Sequence, residues 1–493
     1  MTSPADDTFA PRPEPRAPRG FPDRRGADLA GERRLIAALA GVYERYGFEP
    51  LDTPAFEYAD ALGKFLPDAD RPNEGVFALR DDDEQWMALR YDLTAPLARF
   101  AAENWQTLAK PYRRWAYGSV WRNEKPGPGR FRQFTQCDAD TVGSDRPEAD
   151  AEMVALAVEG LAAAGVPAGA AVMKISTRKL LDGLMEAHGI VDQAQRLTTL
   201  RAIDKFDRLG WAGVRDLLGK GRLDESGDFT RGAGLAQGAV NDIEVFLNAA
   251  AQGLSRQAVL KALADGKASA TRDQGLSDLE RIDQALTAMG VTDAQARFDP
   301  AVVRGLEYYT GAVFEAELVA TDAKGQPLRL GSVGGGGRYD DLVARFTGER
   351  TPATGFSFGV SRLTVALQAM EWAGAGKAPR GPVVVLALDA EGMADFFAAA
   401  AELRAAGIAA EVYLGGSGMK AQMKYADRRL APAVVILGGD ERASGQVTIK
   451  DLDLGRALAA GVSDHDTWKS ERPGQQTVPR VHLVEVVNGI VDA

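Results

Sequence analysis

The chain is poor in the residues from which proteins build metal and redox centres. Among its 493 residues there is one cysteine, Cys137, which excludes an intramolecular disulfide and every cysteine-built zinc or iron–sulfur site. Three widely spaced histidines, His188, His465 and His482, leave little for a histidine-built site either. No apolar run approaches the roughly 20 residues that span a bilayer. The opening MTSPADDTFAPRPEPRAPRG holds five prolines and alternating charges but no apolar stretch, so it is no signal peptide. Residues 1–20 read as a disordered tail. These absences lead us to expect a cytoplasmic protein. An excess of basic charge is missing too: 58 Lys and Arg stand against 69 Asp and Glu, a formal net of −11. That balance excludes indiscriminate coating of nucleic acid and still permits a local basic patch.

What is present describes an ordinary folded protein, with 45% hydrophobic and 26% charged residues. At roughly 150 residues per domain, the length suggests three domains. Leu35, Ile36, Leu39, Val42, Tyr43 and Tyr46 share one helical face, ending at Gly47. The segment Phe48-Glu-Pro-Leu-Asp-Thr-Pro54 follows, and its prolines favour an edge or interface position over a central strand. Residues 77–91 predict a hairpin with the acidic cluster Asp81 to Glu84 at its tip. Two further strands, 113–122 and 130–140, flank the loop Glu124-Lys-Pro-Gly-Pro-Gly129, which is too short for a crossover and so requires antiparallel pairing. Helical patterns dominate from about 150 to 300, and strand signals return at 311–320 and before residue 360. Beyond the linker around residues 373–380, strands and helices alternate, predicting a small α/β domain with a largely parallel sheet. The fold class read from these patterns is α+β, an antiparallel body with a helical insertion and an α/β tail domain.

The densest chemical signal lies between Lys110 and Arg132. Lys110, Arg113, Arg114, Arg122, Lys125, Arg130 and Arg132 face a single acid, Glu124. A charged, solvated hairpin explains such a run, and so does an anionic ligand. Alternation on the second strand places Arg130, Arg132, Phe134, Gln136, Asp138 and Asp140 on one face, cations at one end and an amide and a carboxylate, Gln136 and Asp140, further along. A phosphate-bearing ligand joined to an amine-bearing group suits that order. Asp92 and Thr94, on an extended segment, would face the same way about 6.6 Å apart and grip an ammonium group. The same residues before Pro96 also form an ordinary helix-capping phrase. Arg304-Gly-Leu-Glu-Tyr-Tyr-Thr-Gly311 reads alone as a turn with core tyrosines. Gly355-Phe-Ser-Phe-Gly-Val-Ser-Arg-Leu363 puts Arg362 in the first turn of a helix after a strand, either as a surface ion-pair residue or as a phosphate ligand.

In this order the four clusters resemble the histidyl-tRNA synthetase family of class II aminoacyl-tRNA synthetases. The Thr53-Pro54 segment with its preceding helix is similar to class II motif 1. Arg122-Asn-Glu…Gly-Arg-Phe-Arg-Gln-Phe134 is similar to motif 2, and Gly355 to Leu363 to motif 3. Arg304-Gly-Leu-Glu-Tyr-Tyr309 and the phrase GGGGRY, residues 334–339, are specific to the histidine enzyme. Leu-Arg-Ala-Ala-Gly407-Ile and Lys424-Tyr-Ala-Asp427 match the tail domain. The resemblance covers roughly residues 20–485. It implies catalytic-domain segments 21–185 and 296–372, a helical insertion 186–295, a linker 373–380 and an anticodon-binding domain 381–493.

It also implies a homodimer that activates L-histidine with ATP and Mg²⁺, passes it to tRNA(His), and needs no membrane. Arg122 would hold the ATP α-phosphate, Glu124 would lie near the adenine amino group, and Arg362 near the γ-phosphate. Asp92, Thr94 and Gln136 would bind the α-amino group of histidine. Asp140, Tyr309 and Tyr308 would surround the imidazole, and Arg304 would be the catalytic cation. No cysteine or histidine is needed to hold the metal, which comes with ATP. The chain departs from the family in Asp140 and Glu307, where glutamate and aspartate are commoner, and in a loop Lys125–Gly129 without the side chains that usually meet the acceptor end of tRNA. A second reading is the histidine-binding regulatory subunit of ATP phosphoribosyltransferase. Such paralogues lack the tail domain and lose parts of the ATP motifs, whereas Arg122, Arg304, Arg362 and residues 381–493 are all present here.

Overall fold

The computed structural model describes residues 14–65, 75–127, 131–223, 227–250, 255–303, 309–319, 326, 331–370, 380–459 and 474–492. The chain forms two compact units, residues 1–377 and 378–493.

The first unit is built on an eight-stranded sheet. Helix α1 (Ala27–Arg45) buries the predicted stripe of Leu35, Leu39, Val42 and Tyr43. Strand β1 (Glu49–Pro50) follows and takes an edge of the sheet, where a proline breaks no ladder. Strands β2 (Phe56–Tyr58), β3 (Ala78–Arg80) and β4 (Trp86–Leu89) make a separate three-stranded sheet, with β3 and β4 the predicted acidic-tipped hairpin. After α2 (Thr94–Asn104) come β5 (Tyr112–Trp121) and β6 (Gln133–Val142), paired antiparallel as the short loop demands. Then follow α3 (Pro147–Ala163), β7 (Ala171–Thr177) and α4 (Arg178–Ala187).

Residues 186–295 serve two cores. Helices α5 (Gln193–Ile203), α6 (Phe206–Leu218) and α7 (Gln237–Asn248) pack with α4 around Leu184, Ile203, Leu218, Val240 and Ile243, with a small hairpin of β8 (Gly221–Leu223) and β9 (Phe229–Arg231) between α6 and α7. Helices α8 (Arg256–Ala264) and α9 (Ala270–Ala288) instead send Val259, Leu263, Leu279, Ile282 and Leu286 into the core of the main sheet. Buried Arg256 ties them together, donating to Asp283 at 2.6 Å, to the Val291 carbonyl at 3.0 Å and to the Ala296 carbonyl at 2.9 Å.

Strands β10 (Ala296–Phe298), β11 (Ala312–Leu318), β12 (Ser332–Arg338) and β13 (Ala353–Gly359) complete the sheet, with α10 (Ala344–Thr347) before β13 and α11 (Val360–Ala369) after it. The order is β1-β5-β6-β13-β12-β11-β7-β10, antiparallel throughout its interior and parallel only at the two edge pairs. One face is packed by α1, α3 and α11 through Leu39, Met153, Leu156, Phe356, Phe358 and Leu363. On the other face, α2 covers Tyr112, Val142 and Tyr339 through Leu97 and Ala101. Arg338 locks the end of β12, donating to Asp150 at 2.9 Å and to the Ser144 and Arg146 carbonyls at 2.7 and 3.0 Å.

The second unit has strands β14 (Val383–Val385), β15 (Ala410–Val412), β16 (Ala433–Ile436), β17 (Gln446–Asp451) and β18 (Gln475–Pro479), in the order β15-β14-β16-β17-β18. Its helices are α12 (Met393–Ala405), α13 (Met419–Arg428), α14 (Gly439–Ser444), α15 (Leu452–Ala459) and α16 (Leu483–Val491). Val383 and Val385 enter one core and Val384 and Leu386 another, so the apolar run of β14 is covered on both sides. The expectation of a largely parallel sheet needs correction. The β14 pairings are parallel, but β16–β17 and β17–β18 are antiparallel. The segment between β16 and β17 is shorter than the dozen or so residues of a parallel crossover. No described helix is long and apolar enough to cross a membrane.

Truncating Arg338 would strand buried Asp150, whose carboxyl burial already pushes up to about 6 against the pull of Arg338. Arg338→Ala is expected to cost about 3–5 kcal/mol. Urea unfolding checks this, and a loss below about 1 kcal/mol would show that the pair does not lock the sheet.

Candidate active site

Strand alternation divides the sheet chemically. Trp115, Cys137, Ala139, Phe314, Phe356 and Phe358 point into the main core, where burial pushes the Cys137 thiol well up and leaves it inert. The opposite face carries three cross-strand rows. Arg114, Asp140, Gly355, Gly337 and Val313 form the first; Ala116, Asp138, Ser357, Gly335 and Glu315 the second; Gly118, Gln136 and Gly359 the third. These positions are small or polar almost without exception, so the face forms a floor on which a ligand can approach the backbone. Glycine is required at 337 and 355, and a Cβ on Gly337 would lie 2.6 Å from the Ala312 carbonyl oxygen. A Cβ on Gly355 would lie 1.9 Å from Asp140 Oδ1, and one on Gly118 2.2 Å from Arg90 Nη2.

Asp140 is the centre of the floor. Fully buried Arg114 pairs with its Oδ2 at 2.9 Å, and the Tyr339 hydroxyl donates to its Oδ1. Arg114 also donates to the Leu93 carbonyl at 2.9 Å, which brings the 92–94 segment against the hairpin. Gln136 donates to Ser357 Oγ at 2.7 Å, while its Oε1 and Arg114 Nη1 are buried with no hydrogen-bond partner among the described residues. Such orphaned atoms in a buried polar cluster mark capacity left for a ligand. Burial pushes the Asp140 carboxyl up, against Arg114 and Tyr339. Between Gln136 and Asp140, burial drives Asp138 up to about 7 despite Arg114 and the Ser357 hydroxyl. Tyr309 packs beside Gly337 and Tyr339, its phenol pushed well up by burial and by Asp140, Asp92 and Asp138.

Of the two readings of Asp92 and Thr94, the helix cap is the one found. Thr94 is the first residue of α2 and not part of an extended strand; Asp92 Oδ1 accepts from the amides of Thr94 at 3.1 Å and Ala95 at 2.9 Å. The capping geometry prevails because it satisfies two helix N-terminal amides that would otherwise lie unpaired. Asp92 keeps its second oxygen clear of those two bonds.

A second group occupies the hairpin arm. The Arg122 guanidinium lies over the rings of Tyr91 at 4.3 Å and Phe134 at 5.1 Å, and its Nε reaches the Tyr91 carbonyl at 3.4 Å. The Tyr91 hydroxyl donates to Glu124 at 3.3 Å, and Arg132 donates to the Glu124 carbonyl at 3.0 Å. Arg362 stands exposed in the first turn of α11, as expected, and donates to the Ser332 carbonyl at 2.8 Å. Buried Arg90 joins the arm to the motif 1 segment, donating to the Ser119 carbonyl at 3.0 Å and the Thr53 carbonyl at 2.7 Å. Arg130, Arg304 and Tyr308 lie outside the described residues. Among the described residues no group of three or more His, Cys, Asp and Glu is placed to hold a metal ion.

The structure thus brings Gln136, Asp140 and Tyr309 together, with Asp92 and Thr94 tethered to them through Arg114. Arg122 and Glu124 form their own cluster. Sequence reasoning passed over four members. Asp138 lay on the same alternating face, and Tyr339 ended the GGGGRY phrase. Arg114 was counted only as one cation of a run, and Ser357 carried no local signal.

Residues 20–363 match the family model described as histidyl-tRNA synthetase, and residues 382–486 match one described as anticodon binding domain. A protein of Caulobacter vibrioides named histidine–tRNA ligase is 67% identical over 487 residues, 97% of either chain. The histidyl-tRNA synthetase structure from Nostoc aligns at a TM-score of 0.72 and 28% identity, covering 97% of this chain and 100% of that one. A Bacillus halodurans structure titled as an ATP phosphoribosyltransferase regulatory subunit/histidyl-tRNA synthetase shares the fold, with a TM-score of 0.67 at 21% identity over 84% of this chain and 97% of its own.

Asp138 gives the site a pH signature. Its carboxyl sits at about 7 in the fold against 3.8 ordinarily, so between those values the native state keeps a proton that the unfolded chain has released. Stability therefore falls as pH rises from about 4 to about 7. Asp138→Asn removes that loss. Near pH 8 the variant is expected to be the more stable by up to about 4 kcal/mol, converging with the parent below about pH 4. Melting curves across this range check it; a variant with the parental pH dependence contradicts the assignment.

Proposed function

The chain belongs to the histidyl-tRNA synthetase family, activating L-histidine with ATP and charging tRNA(His), and we propose that it divides this work between the glycine-lined floor and the hairpin arm. The observation that carries the reading is the floor itself, a buried polar cluster with unspent hydrogen-bonding atoms, on the same β5–β6 hairpin that carries the cationic arm.

On the floor, Asp92, Thr94 and Gln136 Oε1 take the α-ammonium of histidine, and Asp140 and Tyr309 take the imidazole. The Tyr339 hydroxyl holds Oδ1 of Asp140, and the Arg114 guanidinium pairs with Oδ2, which has no hydrogen-bond partner among the described residues and stays open to the ligand. An analogue without the imidazole N–H leaves these buried groups unpaired, which can reject it by about 10⁴ to 10⁵ without editing. On the arm, Arg122 takes the α-phosphate and Glu124 the adenine amino group, while Arg362 takes the γ-phosphate. The histidine carboxylate is already anionic, so it attacks the α-phosphorus without a general base and pyrophosphate leaves. Catalysis is then positioning and charge stabilisation, for which forked guanidinium groups are suited. Mg²⁺ bound to the triphosphate would supply further charge neutralisation at its oxygens, beside that of Arg122 and Arg362. Arg304 and Tyr308 join the site by resemblance, Arg304 as the cation beside the α-phosphate. The 3′-terminal ribose hydroxyl of tRNA finally displaces AMP from the adenylate.

Lys420, Lys424 and Arg428 lie exposed along one face of α13 at helical spacing and would meet the anticodon stem, whereas Arg429 is paired with Glu411 at 3.1 Å. The protein works as a cytoplasmic homodimer in this reading. Supporting the dimer, the outer face of the β2–β3–β4 sheet leaves Phe56, Tyr58 and Leu79 exposed around Met87. The regulatory-subunit reading is not favoured, because the tail domain and Arg122, Arg304 and Arg362 are all retained.

Isotope exchange between ATP and pyrophosphate, run with each amino acid in turn, is expected to proceed with histidine alone. In the same assay Arg304→Ala should cost roughly 10²-fold or more with histidine affinity little changed; equal loss of both would reassign the residue. Tyr58→Asp is expected to shift the mass measured by light scattering towards the monomer. An unchanged dimer would place the interface elsewhere.

A further inference from the structure

The segment Gly20–Arg24 reaches the hairpin arm at two points and the start of β3 at a third. The Arg132 amide donates to the Gly20 carbonyl at 2.9 Å, and the Arg132 carbonyl accepts from the Arg122 amide at 2.9 Å, so Arg132 is a backbone bridge between this segment and the arginine of the arm. Gly20 is demanded twice, by a φ of +87° and because a Cβ there would lie 2.9 Å from Arg132 Cγ. Phe21 packs edge-on against Phe77 at 5.5 Å, and the Arg132 guanidinium lies 5.9 Å from the same ring. Finally, Arg24 pairs with buried Glu32 on α1 and reaches Thr135 Oγ1 at 3.3 Å; Glu32 accepts from the same hydroxyl at 2.7 Å. The Thr135 amide in turn donates to Ser361 Oγ at 3.0 Å. Thr135 precedes Gln136, and Ser361 precedes Arg362.

We propose that Gly20–Arg24 is a positioning strap for the ATP-binding arm, holding Arg122 through Arg132 and fixing β6 against the start of α11 through Arg24, Glu32, Thr135 and Ser361. The proposal rests on reading the arm as the ATP site. None of the strap residues touches substrate. Their effect is to narrow the positions open to Arg122 and Arg362, and displacement of about 1 Å at such groups is enough to cost up to 10²-fold. The histidine floor has further ties of its own in Arg114, Tyr339 and Ser357, so the loss of the strap should fall mainly on ATP.

The test uses the full-length protein in ATP–pyrophosphate exchange at saturating histidine, with histidine affinity measured separately by calorimetry. Gly20→Val and Arg24→Ala should each raise KM for ATP about 10-fold while histidine affinity stays within about twofold. Arg24→Lys, which keeps the charge facing Glu32, should restore much of the loss. An unchanged KM for ATP in both variants overturns the proposal. So does an equal fall in ATP and histidine affinity, the mark of general loosening. Arg122→Ala separates the two levels: if it leaves exchange intact, the ATP reading falls, whereas a disabled Arg122→Ala beside silent strap variants overturns the strap alone.

Discussion

The buried pair of Arg114 and Asp140 is the constraint on which the rest of the catalytic unit turns. Two charges withdrawn from water cost several kcal/mol each unless partners meet them from every side. Here the partners come from distant parts of the chain: the Leu93 carbonyl before α2 and the Tyr339 hydroxyl after β12. These contacts meet the pair only in part, since Arg114 Nε and Nη1 and Asp140 Oδ2 have no hydrogen-bond partner among the described residues, yet they draw residues 92–94, the β5–β6 hairpin and the glycine-rich strand to a common point. Glycine at 355 follows from the same requirement, since any side chain there would collide with the Asp140 carboxylate.

The cost of this arrangement is borne on one face of one sheet. The other face is an ordinary apolar core, close-packed around Phe314, Phe356 and Phe358. Alternation allows both in the same strands, so stability is concentrated where the ligand does not go. Asp138 and Asp140, both with raised carboxyls, show what the ligand face gives up.

Charge is distributed on the same principle. A net of −11 discourages nonspecific contact with nucleic acid. The cations that matter are local: Arg122 and Arg132 are held over aromatic rings on the arm, and Lys420 and Lys424 are exposed on α13. An acidic body with confined basic surfaces discriminates between anionic partners by placement, not by overall attraction.

Much of this was legible in the residues themselves. The period-2 and period-3.6 patterns placed α1, the β5–β6 hairpin and the helix bearing Arg362, because hydrophobic spacing and turn chemistry are local. The short loop after Glu124 dictated antiparallel pairing on length alone. The motif residues Arg122, Gln136, Asp140 and Tyr309 could be named through the resemblance of their motifs to those of histidyl-tRNA synthetases. Register could not be read in this way. That Arg114 stands opposite Asp140, Asp138 opposite Ser357, and Asp92 at a helix cap instead of on a strand depends on how remote segments settle against one another. The same holds for the grip of Gly20 and Arg24 on the arm, whereas the antiparallel turn of the tail sheet after β16 follows from a connection too short for a crossover. Local pattern specifies which face a residue takes; only the closing of the sheet, by contacts between residues far apart in sequence, decides which residue it meets there.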